Sequence, residues 1–265
     1  MPYLEHDDPF ILILVIISGL IFGSFATAVA YRLPQGKNFV SGRSKCTKCN
    51  HNLGFFDLIP VFSWLFSGGK CRHCGVKVSA SYPAIEISLA IMFVIIYQKF
   101  GLDIRTPILF ALAVFFMIMI VIDFAHYIIP DSINISMFII GLIYQILSDA
   151  PMQQLLLGPL IGLTIGLSLR WLMFFWKKKE GLGMGDVKFL IIVGLFLTPE
   201  LIITFLFLSG VIGILISVLW RILKKGEEFP FGPALALSLF ICVVLPEFHD
   251  WWFRLMETVS IKLIG

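Results

Sequence analysis

The chain has 265 residues, of which 58% are hydrophobic and only 14% charged, with a formal net charge of +3. Its mean hydropathy is +0.95. Soluble domains carry roughly a quarter charged residues, so this composition excludes a soluble globular enzyme or a nucleic-acid-binding module and points to an all-α polytopic membrane protein.

Charge placement orders the apolar runs. The first, Phe10 to Tyr31, follows an acidic stretch (Glu5, Asp7, Asp8) and is too long for a signal peptide, so it reads as a retained span with an outside N-terminus. Arg32, Lys37, Arg43, Lys45 and Lys48 follow at once and place the next segment, residues 32–81, in the cytoplasm. Further spans are expected at Tyr82 to Tyr97, Pro107 to Ile122, Ile133 to Leu147, Leu155 to Trp176, Val187 to Leu197, Leu201 to Trp220 and Phe231 to Pro246. In this arrangement of about eight spans, only Lys99, Arg105, Arg254 and Lys262 among the basic residues fall outside. Lys177-Lys178-Lys179 and Lys224-Lys225 anchor the inner side. The sixth and eighth runs are short for a crossing. The division expected is residues 1–31 as the N-terminus and first span, 32–81 as a loop domain, 82–246 as the membrane core, and 247–265 as a tail. That tail, with Trp251, Trp252 and Phe253, reads as an aromatic anchor in the outer interface.

The loop domain carries Cys46-Thr47-Lys48-Cys49 and Cys71-Arg72-His73-Cys74, separated by 21 residues. Two Cys-x-x-Cys knuckles at this separation make a zinc-ribbon pattern, and cytosolic thiols stay reduced. Four protein ligands leave no open position, so a zinc ion held by Cys46, Cys49, Cys71 and Cys74 is structural. The other reading is a redox pair or unligated thiols. His51 and His73 read as solvated loop residues, and Cys242 as a buried apolar one.

Two carboxylates interrupt the apolar pattern. Asp123 lies near the end of the third run, and Asp186 closes Gly181-Leu182-Gly183-Met184-Gly185-Asp186 at the start of the sixth. Ionisable groups at membrane depth are costly and suggest function. Each also has a simpler reading. Asp186 suits the N-cap of the sixth span, and Asp131, after Pro130, suits the cap of the fourth. Asp123 suits this less well, because apolar and aromatic residues follow it. The glycine stretch fails the dinucleotide fingerprint, which needs glycine where Asp186 stands. Two carboxylates sharing a site keep one proton between them, which equips them as general base and general acid. His126 and Lys188 read as solvated helix-end residues. A proton-coupled transporter is the competing class, although both carboxylates lie near span ends rather than the midplane.

Taken in order, these segments resemble the type IV prepilin leader peptidase family, one of the Gly-x-Gly-Asp intramembrane aspartic proteases. The likeness rests on Gly23-Ser24-Phe25, Tyr31-Arg32-Leu33-Pro34, both knuckles, Asp57-Leu58-Ile59-Pro60, Tyr82-Pro83 with Glu86, Asp123 with Pro130-Asp131, Gly183 to Lys188, and Pro230-Phe231-Gly232-Pro233. Thr27, Thr47 and Ser81 depart from the family's usual Asn, Pro and Arg. The resemblance implies removal of a short basic leader, after glycine, from prepilins and pseudopilins at the cytoplasmic face of a bacterial inner membrane. It implies Asp123 and Asp186 as the catalytic pair, with Gly183, Gly185 and Lys188 as their supporting loop. Bifunctional members also N-methylate the new N-terminus with S-adenosylmethionine, and a peptidase without that second activity is the alternative. Acidic residues at the inner face, Asp57 and Glu86 with Glu227 and Glu228, are candidates to meet the basic leader.

Overall fold

The computed structural model describes residues 8–38, 42–177, 182–223, 228–249 and 254. Lys178, Lys179, Gly181, Lys224, Lys225, Glu227 and the tail aromatics Trp251, Trp252 and Phe253 lie outside that set, and with them most of the expected inner anchors and outer tail. Among the described residues the chain is helical, without a strand: α1 Pro9–Arg32, α2 Phe62–Phe66, α3 Ser81–Phe100, α4 Thr106–His126, α5 Asp131–Leu147, α6 Met152–Lys177, α7 Met184–Phe196, α8 Pro199–Ile222 and α9 Gly232–Val244. Helix starts follow local chemistry. Asp8 Oδ1 accepts the Phe10 N–H at 2.9 Å with Pro9 at the first position of α1, and Pro199 opens α8 after Thr198.

Each of the eight expected spans corresponds to one helix, α2 being extra. Five are long and apolar enough to cross a membrane: α1 with the turn after it, α3, α4, α6 and α8. The chain is therefore a multi-pass membrane protein. The other three are shorter, at 17 residues for α5 and 13 each for α7 and α9. Thirteen helical residues reach only about 20 Å, against a hydrocarbon core of about 30 Å. Their surroundings account for the difference. Val187, Phe189, Leu190, Ile192, Val193 and Leu195 of α7 are buried, as are ten of the thirteen residues of α9. A helix apolar all round and enclosed by protein need not match the thickness of lipid.

The chain forms two compact units, Met1–Ile122 and Asp123–Gly265, and the boundary runs through the last turn of α4. In the first unit α1 packs along α3, and the two knuckles are each closed by an isolated antiparallel bridge, Lys45 with Asn52 and Lys70 with Lys77. In the second, α7 is the central element, packed on α6, α5 and α9. Glycine makes the α6–α7 contact possible. A β-carbon at Gly162 would collide with the Leu190 carbonyl, and Gly158 and Gly194 would each strike the other's carbonyl. The two backbones thus touch directly, as small residues allow in membrane helix pairs.

Candidate active site and metal centre

Asp123 sits in the last turn of α4 and is 5% exposed. The helix runs four residues beyond the expected span end at Ile122 and stops where Tyr127 takes a left-handed backbone (φ 57°), its N–H donating to the Asp123 carbonyl at 2.9 Å. The Asp123 side chain points to the start of α9, where the Gly232 N–H donates to Oδ2 at 2.7 Å. A β-carbon at Gly232 would lie 2.8 Å from that oxygen, so glycine is what lets the carboxylate reach the helix terminus. Backbone N–H groups and the positive end of a helix offset part of the cost of burying the charge.

Asp186 is held in a similar way. Helix α7 begins at Met184, earlier than the apolar run suggests, with Gly183 at its N-cap. Asp186 is therefore the third residue of α7 and not the cap expected from its place before the run. Its Oδ2 accepts the Gly183 N–H at 3.1 Å, reaching back to satisfy a donor that the helix leaves open. Both carboxylates lie in the second unit, close enough for their charges to act on one another. Each engages one backbone N–H through Oδ2, and neither Oδ1 has a hydrogen bond among the described residues.

Side chains from neighbouring helices fix α7 at both ends. The Asn134 Nδ2 donates to the Gly185 carbonyl at 3.2 Å, and Gly185 itself lies against Ile129. Arg170 of α6 donates to the Leu182 carbonyl at 2.8 Å. At the far end Gln145 donates to the Leu195 carbonyl at 2.5 Å and Gln154 to the Leu197 carbonyl at 3.1 Å, taking up acceptors that the helix end leaves unpaired. Lys188 Nζ meets Asp131 Oδ1 at 2.6 Å. The cap expected at Asp131 is thus not made: Pro130 holds the N-cap position, and the lysine takes the carboxylate. Lys188, expected to be merely solvated, is the partner. Asn134, Arg170, Gln145 and Gln154 were not singled out from the sequence. A polar or charged residue inside an apolar run was the available signal.

Of the other acidic candidates, Glu86 and Asp57 are engaged within the first unit, and Glu228 is exposed in the second. Glu86 is buried in α3, and its Oε2 accepts the Val61 N–H at 2.7 Å. Asp57 accepts the Gly54 N–H at 3.0 Å and lies 3.5 Å from Arg72 Nε.

The four knuckle cysteines converge. Their Sγ atoms all lie within 4.8 Å of one another, and Cys46 and Cys74 are 3.9 Å apart. A tetrahedral shell with zinc–sulfur bonds of 2.3 Å spaces its sulfurs about 3.8 Å apart, so the donor set fits a metal ion. The N–H groups of Cys49 and Lys48 bring the Cys46 thiol down to about 6. At Cys74 the Val76 N–H favours the thiolate, but desolvation and the thiols of Cys49, Cys71 and Cys46 outweigh it and push the group up to about 11. Four thiols so close cannot all ionise without a cation between them. His51 and His73 are exposed and stack at 4.3 Å outside the cysteine cluster.

Two family models match the chain. Residues 17–100 match the model of the bacterial peptidase A24 N-terminal domain, and residues 110–218 that of the type IV leader peptidase family. Among similar curated proteins are three called prepilin leader peptidase/N-methyltransferase. That of Pseudomonas putida is 28% identical over 268 residues, covering 91% of this chain and 93% of its own. That of Neisseria gonorrhoeae is 29% identical over 278 residues, covering 92% and 96%. That of Myxococcus xanthus is 30% identical over 230 residues, covering 85% and 67%. No solved structure matches the chain.

Proposed function

Because the chain belongs to the type IV leader peptidase family, we propose that it removes the leader of type IV prepilins and pseudopilins after glycine and then N-methylates the new N-terminus. The reaction takes place at the cytoplasmic face of a bacterial inner membrane, with the N-terminus of the enzyme outside. Asp123 and Asp186 are the catalytic pair, inside a protease core spanning residues 82–246. The observation that carries this reading is their matched anchoring: two carboxylates in one unit, each tied by a backbone N–H through Oδ2, neither with an Oδ1 hydrogen bond among the described residues. The charged member takes a proton from water as it attacks the peptide carbonyl. The protonated member donates a hydrogen bond to the carbonyl oxygen, and the proton taken from water passes on to the leaving amine as the C–N bond breaks. Gly183 and Gly185 shape the turn that presents Asp186, and Lys188 ties the first turn of α7 to α5. Asp57 and Glu86 remain candidates for the basic leader; their present partners, Arg72 and the Val61 N–H, would have to yield.

The test is reconstitution. Purified protein in lipid vesicles should shorten a prepilin by its leader alone, and a prepilin with a bulky residue in place of the leader's last glycine should stay intact. Equal cleavage of both would contradict the assignment.

Cys46, Cys49, Cys71 and Cys74 hold a structural zinc in the loop domain of residues 32–81. The purified protein should carry about one zinc per chain, because the closed four-sulfur shell takes a single ion. The double change Cys71→Ser, Cys74→Ser should remove it, and metal analysis showing full retention would refute the site. Methylation calls for S-adenosylmethionine. The apolar groove of the first unit, lined by Ile16, Leu20, Phe62, Ile91 and Ile95 among others, offers an adenosyl or amino-acid group no polar partner, and no residue is assigned to the donor. In this reading the tail of residues 247–265 lies in the outer interface.

A further inference from the structure

Between the two knuckles runs a segment whose apolar side chains neither the cysteine cluster nor the Asp123–Asp186 pair uses: Phe55-Phe56-Asp57-Leu58-Ile59-Pro60-Val61-Phe62-Ser63-Trp64-Leu65-Phe66. It forms a 3₁₀ turn, Phe55–Asp57, and the short α2. Phe55, Phe56, Leu58, Phe62, Leu65 and Phe66 are all exposed, Phe55 at 79% and Phe66 at 81%. Exposed apolar surface gathered in one place marks a contact with protein or membrane.

The attachment of this segment says which. Its tip is fastened to a membrane helix through the hydrogen bond from the Val61 N–H to buried Glu86, five residues into α3. Val61 is held there with a positive φ (φ 61°, ψ −53°), a γ-turn closed by the Phe62 N–H on the Pro60 carbonyl at 2.6 Å and a conformation that a β-branched residue adopts only under constraint. Val61 and Phe62 also line an apolar groove of about 390 Å³ whose other walls are side chains of α1 and α3, among them Ile16, Ile87 and Ile91. Those three isoleucines are themselves exposed, on two helices long and apolar enough to cross the membrane, so this flank faces lipid. The segment therefore continues the exposed apolar surface of two helices long and apolar enough to cross a membrane.

The backbone permits interfacial depth. The N–H groups of Leu58, Phe62, Ser63 and Leu65 donate to carbonyls within the segment, that of Asp57 to Gly54, and that of Val61 to Glu86. These donors enter the apolar layer already paired. Lys70 and Lys77, neighbours across the second knuckle's bridge and both exposed, supply positive charge for anionic headgroups.

We propose that Phe55–Phe66 dips into the bilayer interface beside α1 and α3, its aromatic side chains among the acyl chains, and seats the four-cysteine module on the membrane. The inference depends on the chain being a membrane protein and is independent of the reaction it catalyses.

The experiment places the photoreactive residue p-benzoylphenylalanine at Phe66, at Phe55 and, as a control, at exposed Asn52 of the first knuckle, each in the full-length protein. The variants are reconstituted in phosphatidylethanolamine–phosphatidylglycerol vesicles, irradiated, and searched for adducts by mass spectrometry. Lipid adducts at Phe66 and Phe55 several-fold above those at Asn52 are expected, with zinc content unchanged. Equal labelling at all three positions would overturn the proposal. So would adducts formed with added prepilin in place of lipid, which would make the patch a protein-docking surface.

Discussion

Asp123→Asn and Asp186→Asn should each lower the rate of leader removal by about 10²–10⁴-fold or more, the range that a positioned acid or base contributes. The amide keeps the shape of the carboxylate, and its oxygen still accepts the Gly232 N–H at position 123 or the Gly183 N–H at position 186. The fold should therefore survive, and melting temperature and vesicle insertion should stay near those of the unaltered protein. An amide cannot take a proton from water or deliver one to the leaving amine, so the loss should fall on turnover rather than on substrate affinity. Because the two groups work as a unit, the double variant should be little worse than either single one. Substantial cleavage by either single variant would break the assignment of the pair.

Gly162→Val should prevent the second unit from forming. The new side chain would meet the Leu190 backbone carbonyl, which cannot rotate aside as a side chain can. Overpacking against a fixed neighbour typically costs about 1–3 kcal/mol and more where nothing can yield, a large share of the roughly 5–15 kcal/mol that holds a domain together. Asp186 rides on α7, so a helix pushed off α6 carries the carboxylate with it. Gly166→Ala supplies the graded comparison. There the nearest atoms are the side chains of Leu190 and Val187 at 3.1 Å and the Val187 Cα at 3.2 Å, so the neighbours have to give by only a few tenths of an ångström. The valine variant should be poorly folded and inactive, and the alanine variant close to normal. Size-exclusion chromatography and thermal unfolding in detergent measure this directly, and a Gly162→Val protein that folds and cleaves normally would show that the α6–α7 contact is not needed.

How much of this was legible in the sequence depended on the range of the interaction. The four-cysteine cluster was, because two Cys-x-x-Cys knuckles fix its members by local spacing and the loop only has to close. Asp123 and Asp186 stood out because a charge in an apolar run is costly wherever it goes. The groups around them did not. Asn134 meets Gly185 from 51 positions away, Gln145 meets Leu195 from 50, and Gly232 meets Asp123 from 109, so no local pattern encodes those pairings. Hydropathy also cannot tell a helix surrounded by lipid from one surrounded by protein. The sequence therefore did not show that α7 and α9, both short, are enclosed by protein. The row Gly158, Gly162 and Gly166, one glycine per helical turn, was the overlooked signal that α6 lies directly against a neighbour. Basic residues flank the loop and place it in the cytoplasm, while the exposure of its aromatic run became visible only in three dimensions.

The most direct measurement is a mass spectrum of the N-terminus of a prepilin after incubation with the reconstituted protein and S-adenosylmethionine. The account predicts a single new N-terminus immediately after the leader's final glycine, carrying one methyl group, and an intact leader when Asp186→Asn replaces the unaltered enzyme. An intact leader with the unaltered protein, cleavage at another bond, or the same product from the Asp186→Asn variant would contradict it.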